Sequence, residues 1–67
     1  MDIKFFRSGQ GLIKMRMNDK PSDWAIRNNG GKWQLYKMHT YISIKEDLAP
    51  VIHKDKELAE RVSQLMF

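Results

Sequence analysis

The sequence predicts a small α+β fold, in which an antiparallel sheet of three or four strands is packed on one face by a C-terminal helix. Two observations carry this prediction: alternating apolar and polar residues fill the N-terminal part, and a helical apolar period begins after residue 44. Strands followed by a helix are typical of an antiparallel sheet with one face open to water. The 67 residues are expected to form a single domain, 1–67.

The strongest local signal is a β-hairpin centred on Asn29-Gly30. These residue types supply the two positive-φ positions of a type I′ turn, whose twist matches that of paired strands. With this turn, Ile26 lies opposite Trp33, and Trp24 lies opposite Leu35. The four apolar residues share one face of the sheet. The other face then takes Ala25, Arg27, Lys32, Gln34 and Tyr36.

Two further strands are predicted before the hairpin, over Ile3–Arg7 and Leu12–Met17, joined by a turn that contains two glycines. Alternation in the second of them sends its three apolar residues at odd positions inward and sends Lys14 and Arg16 outward. The polar residues 18–23, with a proline and two acids, are predicted to form a loop.

The sheet is expected to continue over residues 41–44 after a bend at 38–40, and a helix follows. The preferred helix start has Asp47 as N-cap, which places Pro50 in the first turn, where its missing N–H costs little. The apolar stripe predicted for this helix consists of Leu48, Val51, Ile52, Ala59, Val62, Leu65 and Met66.

Two alternatives for the helix remain open at this stage. Ser43 and Glu46 could form a capping box, although Pro50 would then lie deeper in the helix. A break near residues 53–55 would allow Asp55 to cap a second helix that runs to Met66.

Basic residues are concentrated in the part of the chain that predicts strands. Residues 1–39 carry eight Lys or Arg and three Asp, whereas residues 40–67 carry four basic and five acidic residues. A basic sheet joined to a near-neutral helix favours an anionic partner, of which nucleic acid is the commonest.

The outward face of the predicted sheet collects basic residues together with exposed aromatic ones, including Lys4 and Phe6. Cations can hold phosphates and aromatic rings can stack on bases, so this face is the predicted nucleic-acid site. A water-exposed face without a ligand, and Asn placed only by turn geometry, are the alternative interpretations. The predicted nucleic-acid-binding residues are Lys14, Arg16, Arg27, Asn28, Lys32, Gln34 and Tyr36.

The order of strands followed by a helix resembles the architecture of the small DNA-binding domains at the N-termini of phage-type integrases. This resemblance concerns architecture and not a motif, and it implies a sheet that reads DNA. Short, basic chains without cysteine are also typical of phage and mobile-element accessory proteins.

Enzyme chemistry has little support in the sequence, so we expect a non-enzymatic protein without cofactor or metal. There is no cysteine, and His39 and His53 are its two histidines. His53 and Glu57 have an i,i+4 spacing, but two ligands make a weak metal signal because a site normally needs three or four. Phosphate-binding glycine motifs and an activated serine are not found.

Two other kinds of partner are expected alternatives. The protein could be a small interaction module or inhibitor that docks on a larger host protein, through a sheet edge or through its helix. A homodimer is also expected as a way to cover a thin core and the apolar residues 65–67. No apolar run reaches the roughly 20 residues that span a membrane, and we expect a cytoplasmic location.

Overall fold

Five antiparallel strands form one sheet, in which each strand pairs with its neighbour along the chain. The computed structural model describes residues 2–39 and 42–66. The strands are β1 Ile3–Arg7, β2 Leu12–Met17, β3 Lys20–Asn29, β4 Lys32–Lys37 and β5 Ile42–Ile44. A 3-10 turn at Ala49–Val51 and the helix α1 Asp55–Met66 follow. The predicted α+β fold is confirmed, and the sheet has five strands where three or four were expected.

The β3–β4 hairpin forms with a register that differs from the predicted one. Its turn is Gly30-Gly31, with φ of 63° and 90°, and Asn29 pairs with Lys32. Ile26 therefore lies opposite Leu35, rather than opposite Trp33. This difference moves the pairing by two residues, so every side chain stays on the face predicted for it.

The β2–β3 connection is shorter than the predicted loop at 18–23. Asn18 and Asp19, both with positive φ, make a two-residue turn, and β3 begins at Lys20. Pro21 fits into the strand because the β2–β3 pairing is irregular there, and β4 pairs only from Trp24 onward. Proline is tolerated in a sheet at such bulges and unpaired strand edges.

The C-terminal segment is broken, as the alternative interpretation allowed. The Asp47 carboxylate accepts the backbone N–H of Ala49, but the 3-10 turn ends at Val51 and α1 begins only at Asp55. Asp55 is the first helical residue and not the cap, because the Lys54 carbonyl accepts the N–H of Leu58. The capping box at Ser43 and Glu46 does not form: residue 43 belongs to β5, and Glu46 binds Arg61.

One apolar core lies between the inner face of the sheet and the C-terminal segment. Leu58 was left off the predicted stripe, yet it is fully buried, because it lies four residues before Val62 and seven before Leu65 on the same helical face. Ala59 is half-buried. The buried core residues are Ile13, Met15, Ile26, Leu35, Leu48, Ile52, Leu58 and Val62. Trp24, Trp33, Leu65 and Met66 pack against this core.

Two side-chain interactions tie the C-terminal segment to the rest of the molecule. At the end of β1, Arg7 donates from Nη2 to the Ile52 carbonyl and to the Asp55 carboxylate, both at 2.7 Å. On α1, Arg61 binds the Glu46 carboxylate through Nε at 2.7 Å and also through Nη2. The helix packs against β1, so the opposite face of the sheet stays open.

Candidate nucleic-acid interface

The outer face is the side of the sheet turned away from α1. Strand pairing brings four of its residues into one row across the sheet, because Phe6 pairs with Lys14, Lys14 with Ala25, and Ala25 with Tyr36. Cross-strand partners point to the same side of a sheet. The row therefore runs from an aromatic ring on β1 through a cation and a small residue to an aromatic ring on β4.

Cations lie on both sides of this row. Lys4 and Arg16 form the neighbouring pair toward the β2–β3 turn, and Arg27 pairs with Gln34 toward the β3–β4 turn, where Lys32 follows. The outer-face residues that the sequence predicted are thus brought together: Lys4, Phe6, Lys14, Arg16, Arg27, Lys32, Gln34 and Tyr36.

The predicted contact residues differ in their exposure and in the interactions that they already make within the protein. Lys14, Arg27 and Lys32 are exposed and form no salt bridge with any residue in the described ranges. Arg16 is half-buried, and its Nη2 donates to the Asp19 carbonyl at 2.6 Å. The Gln34 amide donates to the Lys45 carbonyl at 3.2 Å. Three cations are therefore available to a ligand, whereas Arg16 and Gln34 are positioned by the backbone.

Asn28 differs from the other predicted site residues. It pairs with Trp33, so alternation places it on the inner side of β3 and not with Arg27. Its side-chain oxygen accepts the backbone N–H of Gly31 at 2.9 Å. The carbonyl end of this amide supports the hairpin, which agrees with the interpretation that turn geometry alone requires Asn there.

Ala25 was predicted on the solvent side of the sheet, and it does lie on the outer face, but it is fully buried. Its cross-strand partners are Lys14 and Tyr36, whose longer side chains shield the single methyl group. Because Ala25 has no exposed surface, the middle of the outer face is formed by the side chains around it.

Two depressions lie at opposite ends of the outer face. The first, of about 330 Å³, is mostly apolar, with Phe6, Pro21 and Met38 in its wall beside Lys14 and Arg16. The second, of about 350 Å³, is more polar and is lined by Ser8, Gln10, Gly11, Leu12, Arg27, Asn28 and Tyr36.

Sequence reasoning missed several of these lining residues. Pro21 and Met38 were assigned to a loop and a bend, so no face was predicted for them. The pairing of Arg16 with Pro21, and the hydrogen bond from the Met38 N–H to the Asp23 carbonyl, bring them beside the predicted cations. Their sequence signal is weak because it depends on where the β2–β3 irregularity falls.

Asp47 lies beside the basic surface, but its carboxylate has a structural role. Its carboxylate accepts the backbone N–H groups of Ala49 and Trp33, each at 3.0 Å. These two hydrogen bonds, that from Ala49 above all, lower the pKa of Asp47 below its ordinary value, and the nearby charge of Lys32 adds to the effect.

Other kinds of site have no counterpart in the described part of the chain. His53 precedes α1 and does not share a helix face with Glu57. Among residues 2–39 and 42–66, no three His, Cys, Asp or Glu side chains are grouped so that they could hold a metal ion. The helices within these ranges are too short or too polar to cross a membrane.

The outer face is thus a positively charged surface with an exposed ring, a half-buried ring and two shallow depressions. Comparisons with protein-family models, with curated proteins and with solved structures find no match for this chain.

Proposed function

We propose that this protein is a small non-enzymatic nucleic-acid-binding module that holds phosphates on the outer face of its sheet. The observation that carries the proposal is the convergence of cations from neighbouring strands on one face. Lys4 comes from β1, Lys14 and Arg16 come from β2, Arg27 from β3 and Lys32 from β4. A continuous basic face of this kind is the electrostatic footprint of nucleic-acid binding.

The distribution of acids supports the same proposal. Five of the eight acids lie in the C-terminal segment, and three of these pair with Arg7, Lys54 and Arg61: the five are Glu46, Asp47, Asp55, Glu57 and Glu60. The strand region carries the other three, Asp2, Asp19 and Asp23, of which Asp19 pairs with Lys4 at 3.2 Å at the margin of the outer face. A polyanion would therefore be attracted to the sheet and not to the helix.

The proposal predicts that a charge reversal on the outer face weakens binding, whereas the same reversal on the helix does not. Arg27→Glu should lower the affinity for a short oligonucleotide by at least about tenfold and should reduce the salt dependence, because a phosphate contact is lost. Fluorescence anisotropy over a range of salt concentrations measures both effects.

Lys56→Glu is the matched control, since Lys56 is exposed on α1 and the reversal changes net charge by the same amount. Equal weakening by both variants would mean that overall charge, and not the outer face, governs binding. Binding that does not change with salt would contradict the proposal.

A second candidate function is favoured by the apolar depression beside Phe6. This ring is 52% exposed, and Pro21 and Met38 line the same depression. A patch of this kind would suit a module that docks on a larger protein. A complex that survives nuclease treatment and moderate salt, and that is lost on Phe6→Glu, would favour this function over the first.

A further inference from the structure

We infer that the nucleic acid bound by the outer face is single-stranded, with bases stacked on the rings of Phe6 and Tyr36 and phosphates held by the cations on either side. The inference rests on the proposed function and names the class of its ligand. It begins from the row Phe6, Lys14, Ala25 and Tyr36, which strand pairing places across the middle of the sheet.

The spacing of the two rings suits an open strand better than a continuous stack. They lie three strands apart, on β1 and β4, so at about 4.8 Å per strand their backbone positions are about 14 Å apart. Adjacent bases in a stacked helix are only about 3.4 Å apart. Both rings can therefore be used at once by bases that are separated from one another, as in an extended single strand.

The shape of the face also disfavours duplex. Five strands make a sheet about 19 Å across, from the same spacing, whereas the major groove is about 12 Å wide and admits a helix or a two-stranded ribbon. The five strands cannot all lie in the groove, so a duplex would contact only part of the open face. In duplex the flat faces of the bases are also covered by their neighbours, so the rings would have nothing on which to stack.

The surroundings of the exposed Phe6 ring suit a base with its attached phosphate. The ring is 52% exposed and lies on the wall of the apolar depression, whose wall also includes Lys14 and Arg16. A flat apolar group placed there would contact Phe6 and Met38, while its attached phosphate could reach either cation. A base followed by its phosphate has this combination of properties.

Two cations near the middle of the row complete the arrangement. Arg27 lies next along β3 from Ala25, on the same face, and Lys14 lies beside Ala25 on β2. A strand that runs from Phe6 to Tyr36 would pass over Lys14 and beside Arg27. Stacking on rings together with a basic track is how sequence-tolerant single-strand binding is achieved.

The test compares four probes of equal length: single-stranded DNA, single-stranded RNA, blunt duplex DNA, and single-stranded DNA with abasic sites in place of its bases. At least one of the two intact single strands should bind at least about tenfold more tightly than the duplex. Phe6→Leu should weaken that binding by roughly 5- to 150-fold, the range expected for loss of one base–aromatic stack. Phe6→Tyr keeps the ring and should restore the affinity.

The abasic probe separates stacking from charge. Phe6→Leu should leave its binding unchanged, whereas Arg27→Glu should weaken binding of both the abasic and the intact strand, because the phosphates are common to both. Circular dichroism should show an intact fold for Phe6→Leu, since the ring lies at the surface.

The outcomes distinguish the inference from the proposed function. Duplex binding equal to or tighter than that of both single strands, or binding indifferent to Phe6→Leu, overturns the single-strand inference while the proposed function stands. Failure of all four probes to bind at low salt overturns both.

Discussion

Two consecutive phenylalanines show how one residue of sequence separates core from surface in this protein. Phe5 and Phe6 are neighbours on β1, and successive side chains of a strand point to opposite faces. Phe5 pairs with the buried Met15 and packs against the core, whereas Phe6 pairs with Lys14 and is 52% exposed. The same residue type therefore has a structural role at one position and is open to a ligand at the next.

This difference predicts that the two alanine substitutions have unequal effects on stability. Phe5→Ala should lower the free energy of unfolding by about 3 kcal/mol, the lower end for Phe→Ala because Phe5 is only half-buried. Phe6→Ala should change it by no more than about 0.5 kcal/mol, as is usual for a surface position. Urea denaturation of both variants measures the effects. Comparable destabilisation by the two would contradict the assignment of faces.

At the scale of elements, the hairpin shows why the faces could be predicted although the turn could not. Asn29-Gly30 and Gly30-Gly31 both satisfy the backbone of a type I′ turn, so local preference does not distinguish them. Moving the turn by one residue moves the pairing by two, which leaves each side chain on its own face. The outer-face cations and the inner Trp24 and Trp33 were therefore predicted correctly despite the wrong register.

Other elements could not be read in the same way. The irregularity that admits Pro21 into β3 depends on the cross-strand pairing of Pro21 with Arg16. The position of such an irregularity has no local sequence signature. The predicted bend at 38–40 lies partly outside the described residues, as does position 41 of the predicted strand. The burial of Leu58, by contrast, could have been predicted, because its spacing of four residues to Val62 and seven to Leu65 places it on the same helical stripe.

Asp47 joins β4 to the 3-10 turn, and its role predicts a dependence of stability on pH. Hydrogen bonds from Ala49 and Trp33 lower the pKa of its carboxyl in the folded protein. The resulting stabilisation is complete above the ordinary value of about 3.9. It is lost as pH falls through the lowered pKa of the folded state, where the carboxylate becomes protonated.

Asp47→Asn should therefore flatten the acid side of the stability curve below about pH 4, because the amide still accepts hydrogen bonds but no longer titrates. Thermal unfolding at several pH values measures this change. Glu60→Gln removes an exposed carboxylate elsewhere on the molecule and should leave the slope intact. An unchanged slope in Asp47→Asn would show that other carboxylates account for the acid sensitivity.

At the scale of the whole molecule, one sheet separates two surfaces of different composition. The inner face is covered by the C-terminal segment and supplies the core, and the outer face carries the cations and two depressions. A change on one face reaches the other only through the stability of the fold. Variants of the outer face can therefore test binding, and variants of the inner face can test folding, with little overlap.

A core this thin makes the fold depend on single residues. For 67 residues, a typical stability of 0.05–0.15 kcal/mol per residue gives a total of about 3–10 kcal/mol. Leu58→Ala should remove about 2–5 kcal/mol, because Leu58 is fully buried between helix and sheet. We expect the sheet and helix signals in circular dichroism to be lost in one transition at lower urea, whereas Glu60→Ala, on the exposed side of α1, leaves the midpoint nearly unchanged. If the sheet signal of Leu58→Ala persisted to higher urea than its helix signal, the two layers would not fold as one unit.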